Sequence, residues 1–244
     1  MNITILPDYE QLSIRAADFF VRCLQANPSA VLGLATGSTP LGVYQQLMVH
    51  SQSGNIDFSQ VTTFNLDEYV GLHPDHPQSY YSFMQREFFQ HLTVPPAHIY
   101  IPSGVETDFG TYCQWYEDQI THSGGIDLQI LGIGTDGHIA FNEPGTALGS
   151  RTHLTDLDPR TISDNARFFD SAEDVPRRAI TMGVATIMDA REIILLATGE
   201  NKAAAVRDAI EGPVGSDCTA SALQNHPKTT FLLDPASASL LTNQ

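Results

Sequence analysis

No two cysteines in the chain lie close enough to read as a metal or redox motif. Cys23, Cys113 and Cys218 are its only three, and no Cys-x-x-Cys pair exists. That excludes a disulfide framework and a cysteine zinc site, and fits reduced thiols in the cytoplasm. A basic, apolar leader is missing too: Met1 to Asp8 holds no basic residue and only a short apolar run. No stretch approaches the ~20 apolar residues of a membrane span. Positive charge is scarce, with 12 Lys and Arg against 28 Asp and Glu, a net −16. This balance argues against wrapping nucleic acid or lying on an anionic membrane, although local basic groups can still hold one small anion. The Gly-x-Ser-x-Gly elbow of a serine hydrolase is absent, as is the Gly-Lys-Ser/Thr ending of a Walker loop. Gly132-x-Gly134-x-x-Gly137 matches the dinucleotide-binding string in form only, because polar residues arrive where its helix should begin. Neither a repeat nor a composition break divides the 244 residues. The expectation is one soluble, cytoplasmic domain, 1–244, large enough to bury about three-quarters of its unfolded surface.

Short apolar runs alternate with segments of helical spacing. Val31–Ala35, Val61–Leu66, Asp127–Ile133, Ile193–Ala197 and Thr229–Leu233 read as strands, with shorter ones at His98–Ile101 and Ala179–Met182. Helical spacing covers Tyr9–Gln25, Leu41–Met48, Tyr80–Leu92, Phe109–Thr121, Val184–Met188 and the segment from Lys202 to Ile210. The alternation predicts a three-layer αβα, Rossmann-like open sheet, mostly parallel. Between Thr146 and Arg177 the pattern fades. Residues 146–178 read either as a lid or as a surface excursion with short helices of its own.

In open α/β sheets, ligands bind beyond the carboxyl ends of the strands. Four strand ends here are chemically dense. The first is Thr36-Gly37-Ser38-Thr39, where hydroxyls and N–H groups at a helix start suit a phosphate; plain capping by Ser38 or Thr39 reads the same residues. Asp67-Glu68 follows the second strand directly, as a helix cap or as a source of one general base. The third and densest is Leu131–Gly145, LGIGTDGHIAFNEPG, which packs Asp136, His138 and Glu143 into eight residues among glycines. Carboxylates beside a histidine can tune its protonation. A metal site from these three is disfavoured, since there is no second histidine. The fourth is Thr198-Gly199-Glu200-Asn201-Lys202, whose Lys202 opposes a helix dipole unless an anion sits beside it.

Five segments carry a resemblance: Gly33–Pro40 (GLATGSTP), Thr63–Leu72 (TFNLDEYVGL), Pro77–Met84 (PQSYYSFM), Leu131–Pro144 (LGIGTDGHIAFNEP) and Asn165–Asp170 (NARFFD). In this order, over nearly the whole chain, they resemble glucosamine-6-phosphate deaminases. 6-Phosphogluconolactonases share the fold and the Asp-Gly-His turn, but not the Asn-Leu-Asp-Glu-Tyr and Phe-Asn-Glu-Pro segments together. The resemblance implies conversion of glucosamine 6-phosphate and water into fructose 6-phosphate and ammonia, with no metal or organic cofactor. It makes His138 the group that opens the sugar ring, with Asp136 and Glu143 orienting it. Asp67 becomes the base at C2, which returns the proton at C1. Gly37, Ser38, Thr39, Arg167 and Lys202 become the phosphate grip. Longer members of the family form hexamers activated by N-acetylglucosamine 6-phosphate, through basic residues after a Ser-Arg-Thr segment and through a longer tail. Here His153-Leu154-Thr155 follows Ser150-Arg151-Thr152 and the chain stops at Gln244. The expectation is an unregulated short form, monomeric or loosely associated.

Overall fold

The computed structural model describes residues 1–169 and 171–242; Asp170, the last residue of the NARFFD segment, Asn243 and Gln244 lie outside them. Seven strands form one parallel sheet: β1 (Asn2–Ile5), β2 (Val31–Leu34), β3 (Thr62–Asn65), β5 (Ile99–Tyr100), β6 (Leu128–Leu131), β9 (Ile193–Ala197) and β10 (Thr229–Leu233). Their order across the sheet is β1-β10-β9-β6-β2-β3-β5, and every pairing is parallel. β2, β6, β9 and β10 are buried along their whole length, which explains their largely apolar sequences; Gln129 of β6 and Thr229 and Thr230 of β10 are buried polar exceptions.

The helices are α1 (Tyr9–Ala26), α2 (Leu41–Gln52), α3 (Tyr80–Glu87), α4 (Phe109–His122), α5 (Pro159–Asn165), α6 (Val184–Met188) and α7 (Ala203–Glu211). Right-handed crossovers put α1 and α2 on one face of the sheet and α4, α6 and α7 on the other. α1 starts where Asp8 accepts from the Gln11 N–H, and it turns Leu12, Ala16, Phe20 and Leu24 inward. β2 pairs with β3 on one side and β6 on the other. The connections leaving β2 and β6 run in opposite directions across the sheet, and the carboxyl edge at such a switch point is the usual ligand position in these sheets.

Three findings depart from the sequence reading. β1, an edge strand with Ile3 and Ile5 partly exposed, was not anticipated. Ala179–Met182 does form a strand, but β8 (Arg178–Thr181) belongs to a second, antiparallel sheet of order β4-β8-β7 with β4 (Asp67–Tyr69) and β7 (His153–Asp156). The chain passes from β3 to β4 across Leu66 alone, whose N–H still bonds Leu34 while its carbonyl accepts from Met182. Third, Ser38 and Thr39 do not cap α2. Its cap is Pro40, with no side-chain hydrogen bond. The Tyr9 hydroxyl takes that role from α1, donating toward the Ser38 and Thr39 carbonyls (3.1 and 2.9 Å) and accepting from the Gly42 N–H (2.8 Å).

Residues 146–178 carry β7, α5 and 3₁₀ turns at Ala166–Phe168 and Ala172–Asp174. They join the body through a small apolar cluster of Tyr69, Phe141, Leu157 and Ala179, against which Tyr80, Ile162 and Phe169 pack. Glu117 of α4 makes a second tie. It accepts from Arg151, from the Thr152 N–H and hydroxyl, and from the Thr186 hydroxyl.

Candidate active site

The loop after β6 is a closed turn. The Gly134 N–H bonds the His138 carbonyl at 2.8 Å, and the Gly137 N–H bonds the Gly134 carbonyl at 3.2 Å. Gly137 has φ +89°, and a Cβ there would lie 2.5 Å from the Cys218 sulfur. A Cβ on Gly134 would lie 2.4–2.6 Å from the His138 ring and the Asp136 carboxylate. These two glycines let His138 fold back over its own loop. Beyond it the chain is clamped: Phe141 N–H donates to Thr181, Asn142 donates to the Ile139 and Met182 carbonyls, and Thr219 donates to the Asn142 carbonyl. Ala140 takes φ +51°, a conformation no other non-glycine adopts among the described residues.

This folding brings Asp136, His138 and Glu143 together. His138 Nδ1 lies 2.7 Å from Asp136 Oδ1 and 3.3 Å from Glu143 Oε2. Asp136 Oδ1 also accepts from the His138 N–H at 3.2 Å. Burial opposes the charge on the imidazole, but the hydrogen bonds and charges of Asp136 and Glu143 outweigh it and lift His138 to about 9. Asp136 is likewise opposed by burial and is held down to about 2 by His138; Glu143 is lowered by the same partner against the same burial. At neutral pH the group is an imidazolium between two carboxylates. The three side chains lie within 4.8 Å of one another, a spacing that could also hold a metal ion. The imidazolium already supplies a positive charge at that point.

Asp67 stands on the first residue of β4 and is 6% exposed. Burial first, and the charge of Glu68 second, push its carboxyl up to about 8, while His138 pulls the other way. Strand alternation sends Asp67 and Glu68 to opposite faces. Glu68 accepts from the N–H groups of Tyr69 (2.8 Å), Tyr80 (2.9 Å) and Tyr81 (3.0 Å) and so seals the start of α3. The two readings of this acidic pair, helix cap and candidate base, thus divide between its two members.

The Thr36–Thr39 loop holds Gly37 at φ +93°, and open space lies where a Cβ would point; the same is true of Gly132 at the end of β6. Lys202 closes the 3₁₀ turn Glu200–Lys202 after β9 and donates from Nζ to the Ile133 carbonyl at 2.7 Å. It is thereby drawn to the end of β6. Arg167 stands exposed on the 3₁₀ turn after α5. That helix is bound from below by Glu143, which accepts from the Asp158 N–H (3.3 Å) and from Thr161.

The sequence reading missed Tyr9, Thr161 and Cys218 as supports of the site. No local pattern marks Tyr9 or Cys218, whose partners lie far along the chain. Asp158-Pro159 does carry a legible helix start, since Asp158 accepts from the Arg160 N–H and proline occupies the first turn.

With this geometry in place, comparison with known proteins is decisive. The profile of the glucosamine-6-phosphate isomerase/6-phosphogluconolactonase family matches residues 7–232. The chain belongs to this family. Within it, the chain is 52% identical over 241 residues to a glucosamine-6-phosphate deaminase of Halothermothrix orenii, covering 99% of this chain and all of that one. It is equally identical to the deaminase of Rhodopirellula baltica, over 99% and 96% of the two chains. A solved structure of a monomeric glucosamine-6-phosphate deaminase superposes with a TM-score of 0.96 at 45% identity, over 99% of this chain and 100% of that one. The 6-phosphogluconolactonase of Trypanosoma brucei, at 20% identity and a TM-score of 0.79 over 99% and 98% of the chains, shares the family fold.

Proposed function

We propose that the protein is a glucosamine-6-phosphate deaminase, catalysing the aldose–ketose isomerisation and hydrolytic deamination of glucosamine 6-phosphate to fructose 6-phosphate and ammonia. The observation that carries this reading is a division of labour between two strand ends at the carboxyl edge of the sheet. A buried carboxylate, Asp67, with its affinity for protons raised, faces an imidazolium, His138, flanked by two carboxylates. Full-length relatives about half identical to this chain bear the same name.

The chemistry needs two kinds of proton transfer. Ring opening moves a proton from the C1 hydroxyl to the ring oxygen. His138 serves this step: as an imidazolium it gives its proton to O5 and recovers one from the O1 hydroxyl, with Asp136 and Glu143 stabilising its charge. Isomerisation removes a proton from carbon, which a solvated aspartate with a pKa of ~3.9 does poorly. Burial makes Asp67 a stronger base. Asp67 takes the C2 proton while O1 takes one from His138, giving the enolamine, and Asp67 then delivers its proton to C1; water adds to the resulting iminium carbon, and transfer of a proton from the added oxygen to nitrogen releases ammonia and leaves the C2 ketone. The phosphate rests on the Gly37–Thr39 backbone and side chains, with Lys202 and Arg167 as cations, so that remote binding aligns C1 and C2 with Asp67. Residues 146–178 serve as a lid that brings Arg167 over the substrate. The protein acts in the cytoplasm on a free sugar phosphate, as a monomer or weak homo-oligomer, without nucleic acid or membrane.

Ammonia release from glucosamine 6-phosphate, followed by a coupled assay, tests the reading. Steady ammonia production matched by fructose 6-phosphate is the expected outcome. Hydrolysis of 6-phosphogluconolactone without any ammonia from the amino sugar would replace it with the lactonase reading.

A further inference from the structure

Glu68 is buried, ionisable and unused by the reaction above. It is 2% exposed on the central residue of β4, adjacent to the base. Its two oxygens collect three backbone N–H groups, two of them, from Tyr80 and Tyr81, at the open end of α3. An anion at a helix start is favoured by the helix dipole, so the charge is held there by design of the local fold. We infer that Glu68 is a positioning residue for the deaminase reaction: anchored by the start of α3, its carboxyl fixes β4 beside that helix and, when ionised, adds negative charge to the buried region in which the neighbouring Asp67 takes a proton from carbon. This inference rests on Asp67 being the base at C2.

The surroundings leave Glu68 the main charged influence on Asp67 besides His138. From β4 come Glu68 and Tyr69; from α3, Tyr80; from the loop after β6, His138; from α4, Tyr116. β8, paired with β4, presents Thr181, Ile180 and Ala179, none of which ionises. Burial pushes Glu68 to about 7 in spite of its three donors, so the two neighbouring carboxyls compete for charge in one dry region. The same anchoring carries Tyr80, which lies tilted on Tyr69 at 4.9 Å and stacked on Phe141 at 6.1 Å. α3, β4 and the His138 loop are thereby held as one body.

The test compares kcat/KM for ammonia release across pH in the wild type, Glu68→Gln, Ser79→Ala and Asp67→Asn. Ser79 caps the same helix start, accepting from the Ser82 N–H, but carries no charge. In Glu68→Gln the acidic limb is expected to move about one pH unit lower, as removal of a like charge requires, with kcat down about tenfold as the base weakens. Ser79→Ala is expected to lower Tm and leave the limb in place. Titration of the substrate cancels, being common to all variants. An acidic limb in Glu68→Gln that superimposes on wild type, with only Tm lowered, would make Glu68 purely structural and overturn the inference. Normal turnover in Asp67→Asn would instead overturn the base assignment itself. Should Glu68→Gln not fold, ¹³C NMR titration of the wild-type carboxyls decides. Two-step curves shared by Asp67 and Glu68 are expected; independent single-step curves overturn the proposal.

Discussion

Asp67 lowers the stability of the fold it serves. Its carboxyl ionises near pH 4 in an unfolded chain and at about 8 in the folded one. Between those values the folded state binds more protons, so stability falls as pH rises through that window. Asp67→Asn removes the burden. Its Tm is expected to exceed that of the wild type by several degrees at pH 8 and by less at pH 5, while ammonia release falls at least ~10²-fold; calorimetry and the coupled assay check both halves. His138 shifts stability with the same sign in a later window, since its raised value contributes stability below pH 6.5 that is lost as pH climbs through about 9. Gly134 marks a second single-residue constraint. Gly134→Ala drives a methyl into the His138 ring and Asp136, and an ~10²-fold loss of kcat/KM with an unchanged fold by circular dichroism is expected. At this scale the sequence was informative wherever the partners are neighbours: Asp136, His138 and Glu143 lie within eight residues and do meet. It was silent on Tyr9 and Cys218, because a hydroxyl 29 residues from its acceptor and a thiol 81 residues from the turn it abuts leave no local trace.

Among the elements, the antiparallel sheet separates what was legible from what was not. The parallel strands announce themselves as apolar runs because they are covered on both faces. β7 does not, since three of its four residues are half-buried and the fourth is exposed; a strand on a thin outer sheet needs no strong apolar pattern. β4 reads in the sequence as the polar end that follows β3, a helix cap or a source of one base, and its passage into another sheet over one residue has no sequence signature. The segment that faded from view proves to be well tied, by Glu117 at one end and the Tyr69 cluster at the other. Its Arg167 stands on the turn that follows α5, the helix whose start Glu143 anchors. Arg167→Ala is expected to raise KM for the sugar phosphate ~10-fold or more while kcat changes less, and inorganic phosphate should protect the wild type, but not the variant, from trypsin within residues 146–178. Unchanged KM would remove that segment from the phosphate grip.

For the whole molecule, a mostly parallel open sheet was anticipated from alternation and connection rules alone, whereas the membership of β1 and the strand order were not, because register across a sheet is set by long-range pairing. No helix of the described residues is long and apolar enough to cross a membrane. His153-Leu154-Thr155, which follow Ser150-Arg151-Thr152 without the basic residues the resemblance implies for activation, form the start of β7. Light scattering is expected to give the mass of one chain, 26.6 kDa, and the rate curve should be hyperbolic with or without N-acetylglucosamine 6-phosphate. A sigmoidal curve relieved by that compound would refute this.

One pairing fixes the order of events in the protein's synthesis. Among the described residues β1 pairs with β10 alone, residue 2 against 230 through residue 5 against 233. β1 must therefore wait, unpaired, until β10 emerges. α1 can dock early and hold it nearby, but the sheet closes only after translation of β10, so any pause before residue 229 leaves an adhesive edge exposed.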